Sequence, residues 1–414
     1  MELQLSPNGG VCSPRGFRAA GVTAGLKPSG QPDLAMLFSE APAQVAGAFT
    51  SNLFAAAPVE WDRRVIRKER SVRAVVVNSG VANACTGARG AEDARAMAAY
   101  AAQKLGVETD EVLVSSTGVI GEFLPMETIR HGIDLAAQSL SSEASQAAAR
   151  AIMTTDTQEK RVAVTFSLGD IPVTIGAMTK GAGMIAPQMS LCQSRPRQAT
   201  MLAYFTTDAA VEREALQQAL DQALGRSFNR IVVDGDTSTN DTMLVLANGM
   251  AGNAVIRPDT PEAKAFADAL EACAVFLAKA MVMDGEGVTK FVELQVSGTL
   301  DDQGARQIAE SIARSPLCKT AWYGADPNWG RILCAAGYSH VPFKPTQVDL
   351  DFDGLPVVRS GLAAPGSSPE RLAEVLRKRS FQVSLSVGPG PGRFVLWTCD
   401  LSHDYVKINA DYHT

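Results

Sequence analysis

Lys180-Gly181-Ala182-Gly183-Met184-Ile185-Ala186-Pro187, followed by Ala199-Thr200-Met201-Leu202, is the stretch on which the reading of this chain turns. A Thr follows a small residue. Upstream lies a Gly-rich turn that carries a Lys, and downstream an apolar run with strand character. Such an arrangement suits cleavage of a chain by its own side chain. The Thr200 hydroxyl attacks the Ala199 carbonyl, the peptide becomes an ester, and water releases it. The product begins with Thr200, whose free α-amine has an ordinary pKa of about 7.7–8.0. That amine can act as the base for its own hydroxyl, which is then the nucleophile. An Ala-Thr pair alone is usually structural; the Gly-rich loop before it and the strand after it single this one out.

Working outward, composition bounds the class. The chain has 414 residues, of which 46% are hydrophobic and 20% charged, as expected of a globular protein able to bury a large core. A net charge of −6 argues against a nucleic-acid partner, for which a basic excess or stripe is expected. Met1-Glu2-Leu3-Gln4-Leu5 has no basic segment leading into an apolar one, so no secretory leader is expected. No apolar run approaches the length of a membrane span. The seven Cys are scattered without a Cys-x-x-Cys pair, and the four His lack metal-ligand spacing. Reduced thiols, a cytoplasmic location and no metal site are expected.

The local patterns predict an α/β protein (of the α+β type) with mixed, partly antiparallel sheets covered by helices. Residues 74–77 read as a buried strand entering a turn at Asn78-Ser79-Gly80, and 112–114 as one entering Ser115-Ser116-Thr117-Gly118. A strand pair is expected over 162–178 with its turn at Gly169-Asp170, and further strands over 201–206, 291–296, 347–352, 381–387 and 394–401. Helices are expected over 92–101, 126–140, 144–153, 216–224, 262–281, 305–312 and 371–377. Gly388-Pro389-Gly390-Pro391-Gly392 reads as a hairpin loop.

Several segments have the residue types of a site. The backbone N–H groups of Ser115–Gly121, with the Thr117 hydroxyl, offer donors for the negative charge that acyl transfer develops; an ordinary turn would look the same. Asp234-Gly235-Asp236-Thr237-Ser238-Thr239-Asn240-Asp241 resembles a calcium loop but has Thr239 where Gly is required and Val245 where Glu is required. It is read as a dense turn whose side chains bond backbone N–H groups. Asp284-Gly285-Glu286-Gly287 places a carboxylate between glycines, either to meet a substrate ammonium or as a solvated turn charge. Gly324 to Arg331 reads as a site-lining loop or a packing corner.

Taken together these segments resemble the ornithine acetyltransferase (glutamate N-acetyltransferase) family of arginine biosynthesis. The resemblance runs nearly end to end, through Gly16-Phe17-Arg18-Ala19-Ala20-Gly21-Val22, Asn83-Ala84-Cys85-Thr86-Gly87, Ser116-Thr117-Gly118-Val119-Ile120-Gly121, Met153-Thr154-Thr155-Asp156-Thr157, Lys180 to Pro187, Ala199-Thr200-Met201-Leu202, Asp234 to Asp241 and Asp284-Gly285-Glu286-Gly287. It implies stacked mixed β-sheets flanked by helices, related to N-terminal-nucleophile hydrolases. It implies cleavage between Ala199 and Thr200 into an α chain of residues 1–199 and a β chain of 200–414, assembled as two of each. Thr200 would take the acetyl group of N2-acetylornithine and pass it to glutamate, with acetyl-CoA as a further possible donor and no cofactor. Thr117 and Gly118 are implied as the oxyanion hole. Thr154 or Thr155, Lys180, Glu286, Asn409 and Thr414 are implied as substrate contacts. Residues 190–198 stand as an insertion before Ala199. It leaves two further readings open: an amide hydrolase on the same framework, or an uncleaved binding protein.

Overall fold

The computed structural model of the protein describes residues 3–187, 189–190, 201–365 and 368–411. Ala199, Thr200 and Thr414, and residues 191–198 of the segment 190–198 read as an insertion, lie outside the described residues. The chain forms two compact units. One comprises the residues up to Asn229 with Asp236–Met281; the other comprises Arg230–Gly235 and the residues from Val282 onward. The 199/200 boundary expected from sequence divides the covalent chain, not these units.

The strands of the first unit are β1 Gln4–Ser6, β2 Phe17–Val22, β3 Leu34–Thr50, β4 Val72–Val81, β5 Val112–Val119, β6 Lys160–Leu168, β7 Ile171–Lys180, β8 Met189–Ser190 and β9 Leu202–Thr207. After the short β10 of the second unit, Ile231–Val232, comes β11 Thr242–Ala247. Its helices are α1 Ala57–Ile66, α2 Gly87–Leu105, α3 Met126–Gln138, α4 Ser145–Ala151, α5 Arg213–Arg226 and most of α6, Pro261–Met283. The strands follow the order β1-β6-β7-β9-β11-β3-β4-β5, with β2 and β8 also on β3. Pairs β4–β5 and β9–β11 are parallel and the others along this path antiparallel, so the sheet is mixed as expected.

The organising strand is β3, which sequence reading missed. Ser39-Glu40-Ala41-Pro42 interrupts its apolar pattern, and this is where it changes neighbours. Residues 34–39 pair with β2, and 44–49 with β11. The pairing with β4 slips between Phe38 and Ala43. A proline is tolerated at such an irregularity, where no ladder hydrogen bond is needed from its nitrogen. Around the first half of β3, apolar side chains of α1 to α4 close the core, including Trp61, Met97, Ile129 and Ile133. Helix α6 lies on the β6–β7 hairpin, with Phe266 6.5 Å from Phe166 between ring centroids. Gly169, at φ +60°, makes the tight turn of that hairpin where it was expected.

The second unit adds β12 Phe291–Gly298, β13 Asp349–Phe352, β14 Leu355–Arg359, β15 Leu362–Ala363, β16 Ser380–Ser386 and β17 Gly390–Cys399. Its helices are α7 Asp302–Ala313, α8 Pro316–Tyr323, α9 Trp329–Gly337, α10 Pro369–Arg377 and α11 His403–Asp411. The strand order is β10-β17-β12-β16-β13-β14-β15. This order corrects one expectation. Residues 388–392 are not a hairpin loop, because β12 lies between β16 and β17. The loop instead wraps the end of β12. A Cβ on Gly390 would stand 2.0 Å from the Thr299 carbonyl oxygen, and one on Gly298 2.2 Å from that of Gly388. The glycines serve close backbone approach rather than a two-residue turn. Residues 324–331 form the corner between α8 and α9, where the Asn328 side chain caps α9 by accepting from the Arg331 N–H and the Arg331 guanidinium donates to the Leu317 carbonyl. Among the described residues no helix is long and apolar enough to cross a membrane.

Candidate active site

Four segments of the first unit converge around Lys180. The first is β5. Sequence reading ended this strand before a turn at Ser115, and β4 before one at Asn78. Both continue, to Val119 and Val81, and pair in parallel with Ser79 opposite Thr117 and Gly80 opposite Gly118. They can do so because Gly118 has no side chain to meet Gly80, and Gly80 itself takes φ +118°, a conformation that favours glycine. Gly118 has φ +131°, and a Cβ there would stand 2.2 Å from the Gly80 carbonyl carbon. Thr117 is therefore delivered by a rigid strand, almost fully buried.

The second segment is the end of β7. Lys180 is buried, and its ammonium donates to the Thr117 hydroxyl at 3.2 Å. A buried ammonium needs a counter-charge. The carboxylate of Asp156 supplies one, with its side chain sealed from solvent. Asp156 accepts from Lys160 at 2.7 Å and from the Gly181 N–H at 2.7 Å, while its second oxygen accepts from the Thr154 N–H at 3.1 Å. Burial opposes its charge, yet Lys160 and Lys180 together hold the carboxyl well below the usual carboxylate range. One carboxylate thus anchors the start of the Gly-rich loop and the Thr154–Thr155 segment at once. Thr154 and Thr155 are themselves half-buried.

The third segment is the start of β9, which antiparallel pairing sets against β7 with Leu202 opposite Lys180. Met201 and Leu202, the two residues after Thr200, are fully buried. The fourth is the turn 238–241 leading into β11. Asn240 donates to the carbonyls of Ala82 and Ser116, both at 2.7 Å, and so ties this turn to the strand that presents Thr117. Asp241 accepts from the Met201 N–H through one carboxyl oxygen. Its other oxygen is buried without a hydrogen-bond partner among the described residues. Burial drives this carboxyl well above its ordinary value; the Met201 and Ser238 backbone groups and the charge of Lys180 only partly oppose that. The charge of Lys180 thus acts on both carboxyls, helping to lower Asp156 and opposing the rise of Asp241.

In the second unit, Glu286 is buried and accepts from the Asn409 side chain at 2.8 Å. The contact is set by close packing of α11 on Gly287, where a Cβ would stand 2.5 Å from the Tyr405 nitrogen. The Ser402 hydroxyl donates to the Gly287 carbonyl at 2.6 Å and accepts from the Tyr405 N–H. Thus Thr117, Gly118, Thr154, Thr155 and Lys180 belong to one unit, and Glu286 with Asn409 to the other. The candidate nucleophile Thr200, Ala199 and Thr414 lie outside the described residues.

Sequence reading missed Asp156, Asn240 and Asp241 as site residues. All three stood in motifs already singled out, but nothing in a sequence says which distant backbone group a turn carboxylate will meet.

A model of the ArgJ family matches residues 18–414. The arginine biosynthesis bifunctional protein ArgJ of Thermosynechococcus vestitus is 44% identical, over 98% of this chain and 98% of its own. That of Geobacter sulfurreducens is 48% identical, over 97% and 99%. A crystal structure of ornithine acetyltransferase from Mycobacterium tuberculosis, complexed with ornithine, is 43% identical over 46% of this chain and 100% of that chain, with a TM-score of 0.43.

Proposed function

The chain belongs to the ArgJ family, and from that premise we propose that it is an acetyltransferase of arginine biosynthesis which makes its own nucleophile by cleavage between Ala199 and Thr200. Thr200 then accepts the acetyl group of N2-acetylornithine as an ester, ornithine leaves, and glutamate takes the acetyl group from the ester. Splitting one transfer into two through an ester lowers each barrier.

The observation that carries this reading is the buried Lys180–Thr117 contact beside Met201, the residue next to Thr200. The Thr117 hydroxyl is turned toward a cation that water cannot screen. With the backbone of Gly118 it suits an oxyanion, whose charge is worth more to stabilise in a dry site than in water. Lys180 can also meet a substrate carboxylate, and Glu286 with Asn409 a substrate ammonium. Thr154 or Thr155 and Thr414 complete the substrate contacts. The reaction needs no cofactor, acetyl-CoA serves as a second donor, and the cytoplasmic assembly holds two α and two β chains.

Intact mass under denaturing conditions, with N-terminal sequencing, tests the first step. Two fragments are expected, one beginning Thr200-Met201-Leu202-Ala203. A single chain would remove the nucleophile. The cleaved protein given acetylornithine should form acetylglutamate only when glutamate is present; free acetate formed without glutamate would make it a hydrolase.

A further inference from the structure

Between β2 and β3 the chain curls around one carboxylate. Asp33 is fully buried, and its two oxygens accept four consecutive backbone N–H groups: Ala24 at 2.6 Å, Gly25 at 3.0 Å, Leu26 at 2.6 Å and Lys27 at 3.1 Å. Successive amides turned onto an anion form a rigid cradle. The cradle fixes the direction of Lys27. Its ammonium donates to the Pro32 carbonyl and to the Met153 carbonyl, both at 2.7 Å.

Met153 is the residue before Thr154–Thr155. That segment is therefore held on both flanks, by Lys27 on the Met153 carbonyl and by Asp156 on the Thr154 N–H. The same curl rests on the strand that backs Thr117 and Gly118. The Ser79 N–H donates to the Asp33 carbonyl at 2.8 Å, and the Ser79 hydroxyl donates to the Ala151 carbonyl at 2.6 Å. One loop thus braces the Thr154–Thr155 segment and the end of β4 together.

We propose that Lys27 is a positioning residue, whose ammonium sets the Thr154–Thr155 segment for binding of the acyl donor. The assignment rests on the transfer reading above, since only then do these threonines meet a substrate.

The charge is kept at a cost. Burial pushes Lys27 down to about 8, with repulsion from Lys180 adding to it and Asp33 and Asp156 opposing it. A residue needed only to fill space would not have to carry an ammonium there.

Hydrogen exchange of the free protein and steady-state kinetics of the cleaved enzyme test the proposal with Lys27→Met and Lys27→Arg. In Lys27→Met, exchange at Thr154 and Thr155 should rise by about tenfold, the scale of one lost hydrogen bond, while β4 and β5 stay protected. The KM for acetylornithine should rise by about tenfold with kcat changed less than about threefold, because the lost contact acts on binding. Lys27→Arg keeps a donor and should recover most of the KM; it also carries the test if the Met variant does not fold. Unchanged exchange over 153–155, or a fall in kcat with KM unmoved, overturns the proposal. A wild-type protein that transfers no acetyl group sinks the transfer reading instead, and exchange still decides whether Lys27 holds the segment.

Discussion

Asp156 and Asp241 are both buried carboxyls near Lys180, yet their environments push them in opposite directions. Asp156 has two lysines and two backbone N–H groups to stabilise its charge. Replacing it with Asn leaves Lys160 and Lys180 without that counter-charge, and breaking a buried pair in this way costs about 3–5 kcal/mol. Urea denaturation at pH 7 should show that loss. Its folded-state pKa is lowered, so its stabilisation is present above the ordinary carboxylate value of about 3.9 and disappears as pH falls below it. The Asn variant should lack that acid-dependent loss. Asp241 has the reverse sign. Its folded-state pKa is raised, so the folded state binds the extra proton above about pH 3.9, and its contribution to stability falls as pH rises. Asp241→Asn keeps an oxygen for the Met201 N–H and cannot ionise. It should be at least as stable as wild type at pH 8, with a flatter decline in stability from pH 5 to 8. An unchanged slope in the variant would show that Asp241 is already ionised in the native protein over that range. Neither behaviour was legible in the sequence, where Asp156 was one residue of a quoted motif and Asp241 the last of a turn. The Asp241 and Ser238 side chains of the turn do accept backbone N–H groups, while Asn240 instead donates to two carbonyls, and these targets are set by the fold.

At the scale of the element, the presentation of Thr117 depends on two strands approaching through glycine. The sequence patterns at 74–80 and 112–118 showed apolar runs followed by small polar residues, which is also how a strand enters a turn. Only the partner strand distinguishes the two cases: Gly80 faces Gly118, and the ladder continues where a side chain at 118 would stand 2.2 Å from the Gly80 backbone. Gly118→Ala should therefore be poorly tolerated. It adds a side chain at φ +131° and places its Cβ inside contact distance of the Gly80 backbone. Backbone strain of this kind costs about 1–3 kcal/mol, and relieving it moves Thr117. A shift of about 1 Å in a catalytic group can cost roughly a hundredfold in rate. The expected outcome is a modest fall in melting temperature with a loss of acetyl transfer on the order of a hundredfold. Loss of transfer without any change in stability would mean that the backbone accommodates the methyl group and that Gly118 acts by another route. The glycine-rich loop 388–392 teaches the converse. Its composition matched a hairpin, but an intervening strand makes it a connection around the end of β12, and strand order is not written in a loop's composition.

At the scale of the whole molecule, the mixed α/β class and most of the longer helices were legible because they rest on periodicity, whereas α1, α8, α9 and α11 were not expected. The helices expected over 92–101, 216–224, 262–281, 305–312 and 371–377 lie within α2, α5, α6, α7 and α10. The partition into two units was not legible, because the second unit takes in Arg230–Gly235 from the middle of the first. The same long-range pairing decides what the segment 190–198 must do. Ser190 pairs with Phe49, Phe49 with Thr242, and Thr242 with Leu202. Ser190 and Leu202 therefore stand three strand spacings apart, about 14 Å. Met189 is pinned from the other side, its N–H donating to the Asn229 side chain at 3.0 Å, and Met201 is pinned by Asp241. With both ends fixed, a chain of about four to five extended residues is the minimum that bridges the gap, at roughly 3.3–3.6 Å each. The segment between Ser190 and Leu202 is longer than that, and further length adds little to the closure cost. Deleting residues 193–196 should accordingly leave cleavage between Ala199 and Thr200 intact, read as the same β fragment by mass and the same transfer rate within about threefold. Deleting all of 191–198 leaves only Ala199, Thr200 and Met201 between the anchors, at the limit of their reach, and should slow or stop cleavage. Equal cleavage in both deletions would show that the Met189–Ser190 pairing to β3 yields during maturation. Loss of cleavage in the shorter deletion would give the inserted residues a direct part in it.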